Sequence, residues 1–320
     1  MKAVVYTEYG SPDVLKLNDV EKPEPNDNEV LIKIKATAVN SGDWRLRKAD
    51  PFMVRLFFGL FKPKKNILGI VLSGVIEQTA KNVTRFKAGD QVFGLSDISL
   101  GTYAEYICLP ETSALTLKPD NISHGEAAAI PFGGHTALHF LRKADIKSGQ
   151  SVLVYGASGA VGTAVVQLAK YYGAVVTAVC STANVEMVKS LGADKVIDYT
   201  KKNVTDINDT FDTIFETVNK VPVSEIKKLL KKNGTLILGS AMIKEMLQGA
   251  LVSLFGNAKV LMGEASVTAD DMNFIKDLTA SGKLKPVIDR TYLLEQIVEA
   301  HTYVEAGHKK GNVVITLTDD

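Results

Sequence analysis

Residues 151–170, SVLVYGASGAVGTAVVQLAK, constrain the fold more than any other stretch of the chain. SVLVY is a run of β-formers. GASGAVG follows at once, with Gly156, Gly159 and Gly162 three residues apart, and Val161, Ala164, Val165, Leu168 and Ala169 then recur at helical spacing. A strand, a glycine-rich turn and a helix in that order predict a phosphate-binding βα unit. Glycines let the backbone turn sharply and approach a pyrophosphate closely. The helix N-terminus then offers unpaired N–H groups and a positive dipole end to the anion. Candidate binding residues are therefore Gly156, Ala157, Ser158, Gly159, Ala160, Val161 and Gly162. Ser158 breaks the G-x-G-x-x-G pattern, and a turn that needs glycine only for packing is the competing reading; the flanking strand and helix weigh against it.

Around this unit the hydrophobic rhythm divides the chain. Up to about Asp120 it is β-rich: EVLIKIKATAV alternates as a half-buried strand does, and GIVLSGVIEQ, DQVFGL and TYAEYICLP are further strand candidates separated by turn-prone EKPEPNDN and RFKAGD. From about Ile122, HGEAAAIPFGGHTALHFLRKA reads as helix in two pieces broken near Pro131 and Gly133–Gly134. Strands AVVTAVC, KVIDY, FDTIFET and GTLILGS then alternate with helices expected near 160–172, 183–191 and 222–232. Such alternation predicts a parallel sheet covered on both faces. NAKVLMGEA is a last strand candidate of that region, TADDMNFIKDLTASG a helix, and GNVVITL a strand that returns the tail to the N-terminal domain.

Composition excludes several classes. Lys plus Arg number 37 and Asp plus Glu 36, so nothing advertises nucleic acid or an anionic membrane. Two cysteines, Cys108 and Cys180, without a C-x-x-C partner, exclude a disulfide framework or a cysteine-rich zinc site and fit a reducing, cytoplasmic setting. The start, MKAVVYTEYG, has no signal-peptide core. The apolar stretch 51–61 contains Arg55, ends in KPKK and is too short to span a bilayer; it reads as a helix or flap over an apolar cleft.

The motifs KATAVNSGDW, RFKAGDQVFG, GTYAEYICLP, AAAIPFGGHTAL, VYGASGAVG, SLGADKVIDY and GHKKGNVVITL, in that order over essentially the full chain, resemble the medium-chain dehydrogenase/reductase superfamily. Within it the chain is similar to the zinc-free NADPH:quinone oxidoreductase (zeta-crystallin-like) branch. The resemblance implies an α/β fold: a GroES-like β-rich catalytic domain from 1–121 and 266–320, and a Rossmann doubly wound, cofactor-binding domain over 122–265. The active site would lie in a cleft against the carboxyl ends of the Rossmann strands. Zinc-binding relatives carry a Cys where this chain has VNSGD and Gly-His-Glu where it has LGIVL; here Asn40 and Ser41, then Gly69, Ile70 and Val71, fill those regions. His135 and His139 lie four apart on an expected helix, but no third ligand is evident nearby, so no metal is expected.

Without a Lewis acid, hydride transfer favours acceptors that delocalise the incoming charge themselves, namely quinones and α,β-unsaturated carbonyls. Asn40 resembles the family's active-site Asn and is otherwise a turn residue at a strand end. Thr136 either relays a proton or holds the nicotinamide, or is a helix-start contact. Tyr103 is a proton-donor candidate or a packing residue. For the cofactor, no acid follows Cys180–Ser181 and Ala183 stands where many relatives have Arg, so strict NAD specificity is disfavoured while the basic 2′-phosphate contact is missing. Ser181, Thr182 and Tyr199 remain as adenosine-end candidates. Val218, Gly239 and Ser240, at strand ends, border the nicotinamide, and Asn312 replaces a family Lys.

NADPH is the expected cofactor, NADH the second choice, and a small apolar or aromatic quinone or carbonyl the expected partner. A homodimer formed across NAKVLMGEA is also expected. The competing readings are an enoyl-thioester reductase, with KPKK on a phosphopantetheine surface, and a catalytically weak NADPH-binding structural or regulatory protein.

Overall fold

The computed structural model describes residues 1–96, 99–240, 245, 247–249 and 258–317. The chain divides into two compact units. Met1–Phe132, Thr268–Ser281 and Pro286–Asp320 form the first; Gly133–Val267 and Gly282–Lys285 form the second.

The first unit is built on strands β1 (Lys2–Val5), β2 (Lys16–Asp19), β3 (Glu29–Val39), β4 (Val71–Thr79), β5 (Gln91–Leu95), β6 (Tyr106–Pro110) and β7 (Leu115–Leu117). β1 and β2 pair as a two-stranded antiparallel ribbon. The EVLIKIKATAV strand, β3, is the hub: it pairs antiparallel with β4 and, at successive parts of its length, with β6 and the C-terminal strand. Its alternation is what makes this possible. Val30, Ile32 and Ile34 enter a core with Leu72, Ile76, Val92, Leu109 and Leu115, each such burial contributing ~1.5–3 kcal/mol. β14 (Ile288–Leu293) and β15 (Asn312–Thr316) belong to the same seven-stranded sheet, in which β15 lies against β3. The tail therefore rejoins the N-terminal part of the chain.

The second unit carries β8 (Ser151–Tyr155), β9 (Val175–Cys180), β10 (Lys195–Asp198), β11 (Phe211–Glu216), β12 (Leu230–Leu238) and β13 (Lys259–Met262). All six are parallel, in the order β10-β9-β8-β11-β12-β13. Numbered within the unit this is 3-2-1-4-5-6, the Rossmann order, and it reverses direction between β8 and β11. A core of Leu153, Val179, Ile197, Ile214, Leu236 and Leu238 with Phe211, Val223, Ile226 and Leu229 packs on one face.

Helix Ala160–Tyr171 matches its expected span, and the two-piece helix is His124–Ala129 followed by Pro131–Ala144. Pro131 opens the second piece, where its missing N–H costs nothing. The helix expected over 222–232 is shorter. Val223–Ile226 is helical, Lys227–Leu229 is a 3-10 turn, and residues 230–232 already belong to β12. Val223, Ile226 and Leu229 are buried at a spacing of three, which suits the tighter 3-10 turn rather than a continuing α-helix. In NAKVLMGEA the strand is Lys259–Met262, and residue 257 lies outside the described residues.

Candidate active site

β8 ends at Tyr155 and the chain turns through Gly156, φ +85, into a helix capped by Gly159. The three glycines do different things. A Cβ on Gly162 would lie 2.1 Å from the Gly156 carbonyl oxygen, and one on Gly156 would lie 2.4 Å from Thr217 Oγ1. Packing alone demands glycine at both. A Cβ on Gly159 would meet only the Gly156 oxygen, at 3.6 Å. No neighbouring atom requires glycine there, and the space left open lies at the N-terminal amides of a 12-residue helix, an end that favours anions. The turn fits a pyrophosphate.

At the far side of the sheet, β9 runs into Ser181 and Thr182. The Ser181 Oγ accepts from Asn184 Nδ2 at 3.2 Å. Thr182 donates its hydroxyl to Asp198 Oδ2 at 2.5 Å, and Asp198 also accepts the Thr200 amide at 3.0 Å and the Thr200 hydroxyl at 2.7 Å. These bonds hold the Asp198 carboxyl down at about 2. A carboxylate does reach this end of the sheet, from β10 rather than β9: Asp198 pairs in register with Cys180. The sequence placed it beside Tyr199, in KVIDY, but not beside Thr182. Tyr199 itself is 53% exposed, so its ring is available to a ligand.

Between these, at the reversal of strand order, β11 ends in Glu216. Its side chain is buried, and burial pushes its pKa up against the pull of the amides it accepts. Glu216 Oε1 takes the Val218 N–H at 2.8 Å and the Asn219 N–H, and Ser240 Oγ lies 3.4 Å from Oε2. The Gly239 amide donates to the Glu216 carbonyl at 2.8 Å. One buried carboxylate thus shapes the loop carrying Val218 and anchors Ser240, two of the three strand-end candidates. Half-buried Thr136 lies on helix Pro131–Ala144, as do His135 and His139.

In the first unit, β3 delivers Asn40 to the N-cap of helix Ser41–Lys48. Asn40 is 1% exposed; its backbone N–H donates to Asp43 Oδ2 at 2.7 Å, and its side-chain Nδ2 lies a long 3.4 Å from the Ala38 oxygen. Tyr103 is wholly buried in the core with Val4, Val39 and Leu68. Burial first, and the neighbouring Asp43 second, raise its pKa well above the ordinary phenol value. Its hydroxyl faces the Asp43 carboxylate, which draws on it without a hydrogen bond of normal geometry. The Tyr103 ring stands edge-on to His301, centroids 5.6 Å apart. Arg47, also fully buried, pairs with Glu305. Burial pushes Asp43 up to about 6 and, with the charge of Arg47, His301 down to about 3. Asn312, on β15, donates its side-chain amide to the Val287 oxygen at 3.1 Å.

The apolar stretch 51–61 forms the short helix Val54–Phe58. Tyr9 donates its hydroxyl to the Gly59 oxygen at 2.8 Å, and the Arg55 guanidinium lies over the Tyr9 ring at 4.7 Å. Phe57 and Phe61 are 74% and 87% exposed.

The alcohol dehydrogenase GroES-like domain family matches residues 26–120, and the zinc-binding dehydrogenase family matches residues 191–315. A 2-methylene-furan-3-one reductase of Solanum lycopersicum is 37% identical, over 98% of this chain and 79% of the relative. The NADPH-dependent alkenal/one oxidoreductase of Arabidopsis thaliana is 34% identical, again over 98% and 79%. The chain belongs to the medium-chain dehydrogenase/reductase superfamily, in its quinone oxidoreductase branch. The quinone oxidoreductase of Coxiella burnetii superposes on this superfamily member with a TM-score of 0.89 at 28% identity, covering 99% of both chains. Among the described residues there is no group of three or more His, Cys, Asp or Glu that could hold a metal ion. Among the described residues, no helix is long and apolar enough to cross a membrane.

Proposed function

We propose that the chain is an NADPH-dependent, zinc-independent oxidoreductase acting on quinones or α,β-unsaturated carbonyls. The observation that carries this reading is the open Gly159 cradle at the strand-order reversal of a Rossmann sheet. The named activities of the enone-reducing relatives support the acceptor class. Zinc independence is supported by Asn40 and Ser41, and by Gly69, Ile70 and Val71, at the two stretches where zinc-binding relatives place ligands.

In this reading the turn 156–162 grips the pyrophosphate, Ser181, Thr182 and Tyr199 hold the adenosine end, and Val218, Gly239 and Ser240 border the nicotinamide, with Thr136 beside it. Bound reduced nicotinamide supplies the hydride. Asn40 donates a side-chain N–H to the acceptor oxygen, stabilising the charge that develops there. Tyr103, sealed in the core, supports this site from behind, so water protonates the product. Asn312 is tied to Val287 and contributes no cation. The segment 51–61 lines an apolar acceptor site, its helix steadied by Tyr9. β13, at the sheet edge, pairs with its copy in a homodimer, an assignment that a monomer by light scattering would exclude. Free Cys108 and Cys180, both with thiols pushed up to about 11 by burial, suit a reducing cytoplasm.

The test is loss of reduced-nicotinamide absorbance by chelator-treated protein with NADPH or NADH and with a quinone or an enone. Turnover that survives chelation and prefers NADPH is expected. Turnover restored only by added zinc, or absent with every pairing, overturns the reading.

A further inference from the structure

We infer that Asp43 is the positioning residue for Asn40, its buried charge retained to hold that side chain rather than to stabilise the fold; the inference rests on the acceptor-binding role proposed for Asn40. Asn40 hangs at the end of β3, and its N-cap backbone (φ −102, ψ 165) is set by the 2.7 Å bond to Asp43 Oδ2. That bond fixes the Cα–Cβ direction of Asn40. The Asp43 carboxylate also draws on the Asn40 side chain, whose Nδ2 lies 3.4 Å from the Ala38 oxygen, so the side chain is held both through its backbone and through its amide.

A cap alone does not need this arrangement. An asparagine at position 43 would accept the same N–H with no charge to desolvate. Instead the carboxylate is 1% exposed, with the Tyr103 hydroxyl, the Gly69 backbone and the Asn40 side chain gathered on it. A carboxylate desolvated to this degree calls for an explanation. The charge-assisted bond to the Asn40 amide is stronger than a neutral one. It pins the group on which the reaction geometry depends, at a cost in stability borne by the core.

The titratable group facing Asp43 is Tyr103, from the segment before β6; Arg47, on the helix that carries Asp43, and His301, from helix Ile297–Glu305, meet Tyr103 in turn. Tyr6, after β1, also feels the Asp43 charge.

The experiment compares wild type with Asp43→Asn, Asp43→Ala, Tyr103→Phe and Asn40→Ala, measuring kcat, KM for NADPH and acceptor, and thermal midpoint. Asp43→Asn should lose roughly tenfold or more in kcat, keep its KM for NADPH, and melt no lower than wild type. Its kcat should no longer fall as pH drops through about 6, the value to which burial raises Asp43. Tyr103→Phe should retain most turnover. Wild-type kcat in Asp43→Asn, or a kcat loss matched by a drop in thermal midpoint, overturns the inference while leaving the hydride-transfer reading intact. Wild-type turnover in Asn40→Ala overturns the inference and the acceptor-binding role of Asn40, and again leaves the hydride-transfer reading intact. Hydrogen exchange at the Asn40 amide tests the bond without turnover. It should be slowest in wild type, faster in Asp43→Asn and fastest in Asp43→Ala; equal rates in all three overturn the inference whatever the protein reduces.

Discussion

The glycine turn separates two demands that a sequence pattern merges. Gly162 is required by the backbone of its own turn, where a Cβ would sit 2.1 Å from an oxygen, whereas Gly159 faces open space. Gly162→Ala should therefore lower the thermal midpoint, with overpacking of this kind costing ~1–3 kcal/mol. Gly159→Ala should melt like wild type yet bind NADPH about tenfold or more weakly, because its methyl group occupies the anion's approach. Calorimetry and cofactor titration read the two effects apart; a Gly159→Ala protein with unchanged NADPH affinity would remove the turn from the cofactor site. At this scale the sequence showed the glycines because their spacing is local. It did not show that Glu216 and Asp198 matter. A carboxylate announces itself only through its neighbours, and these meet theirs across turns and between strands, as Asp198 meets Thr182.

Among the elements, strands whose alternation or apolar run answered to one burial face were legible. β3 spans Glu29–Val39 as EVLIKIKATAV predicts, because every second side chain had a core to enter. The segment 222–232 was not, since a spacing of three in so short a run fits either helix type and the decision falls to the packing beneath it. The loop after β11 was equally hidden: FDTIFET marks a strand, but nothing in it says that Glu216 turns to hold the Val218 and Asn219 amides. Removing that hold gives an element-scale test. Glu216→Ala leaves the Val218 and Asn219 amides without their acceptor, each such charge-assisted bond being worth ~1.5–3 kcal/mol. NADPH should bind on the order of 10- to 100-fold more weakly, with the loop disordered. Glu216→Gln, which keeps an acceptor and sheds the buried charge, should recover most of the affinity. If both variants bind like wild type, the loop does not border the nicotinamide.

For the first unit as a whole, the buried cluster sets two opposing dependences on pH. His301 titrates at about 3 in the folded protein against 6.5 ordinarily, so over that range the unfolded chain holds a proton that the folded one refuses. Stability from this group is full above 6.5 and is lost as pH falls, by ~1.4 kcal/mol per pH unit. Asp43 runs the other way. Raised from 3.8 to about 6, it keeps a proton in the folded state that the unfolded chain has released. Its charged form penalises the fold above about pH 6, and the penalty lifts as pH falls toward the unfolded value. Between about pH 6 and about pH 4 the two slopes cancel, and wild type should show little acid sensitivity from this cluster. The variants uncover each slope. Asp43→Asn leaves His301 uncompensated, so relative to wild type its melting transition should fall faster on acidification through that window. His301→Gln, unable to charge, leaves Asp43 alone, and its transition should fall more slowly than wild type or rise. Paired surface carboxylates such as Asp19 and Glu305 are common to all three proteins and drop out of the comparison. Parallel pH profiles for wild type and both variants would mean that water already reaches the cluster and screens it, in which case Asp43 carries an ordinary carboxylate charge and has no stability to give up for function.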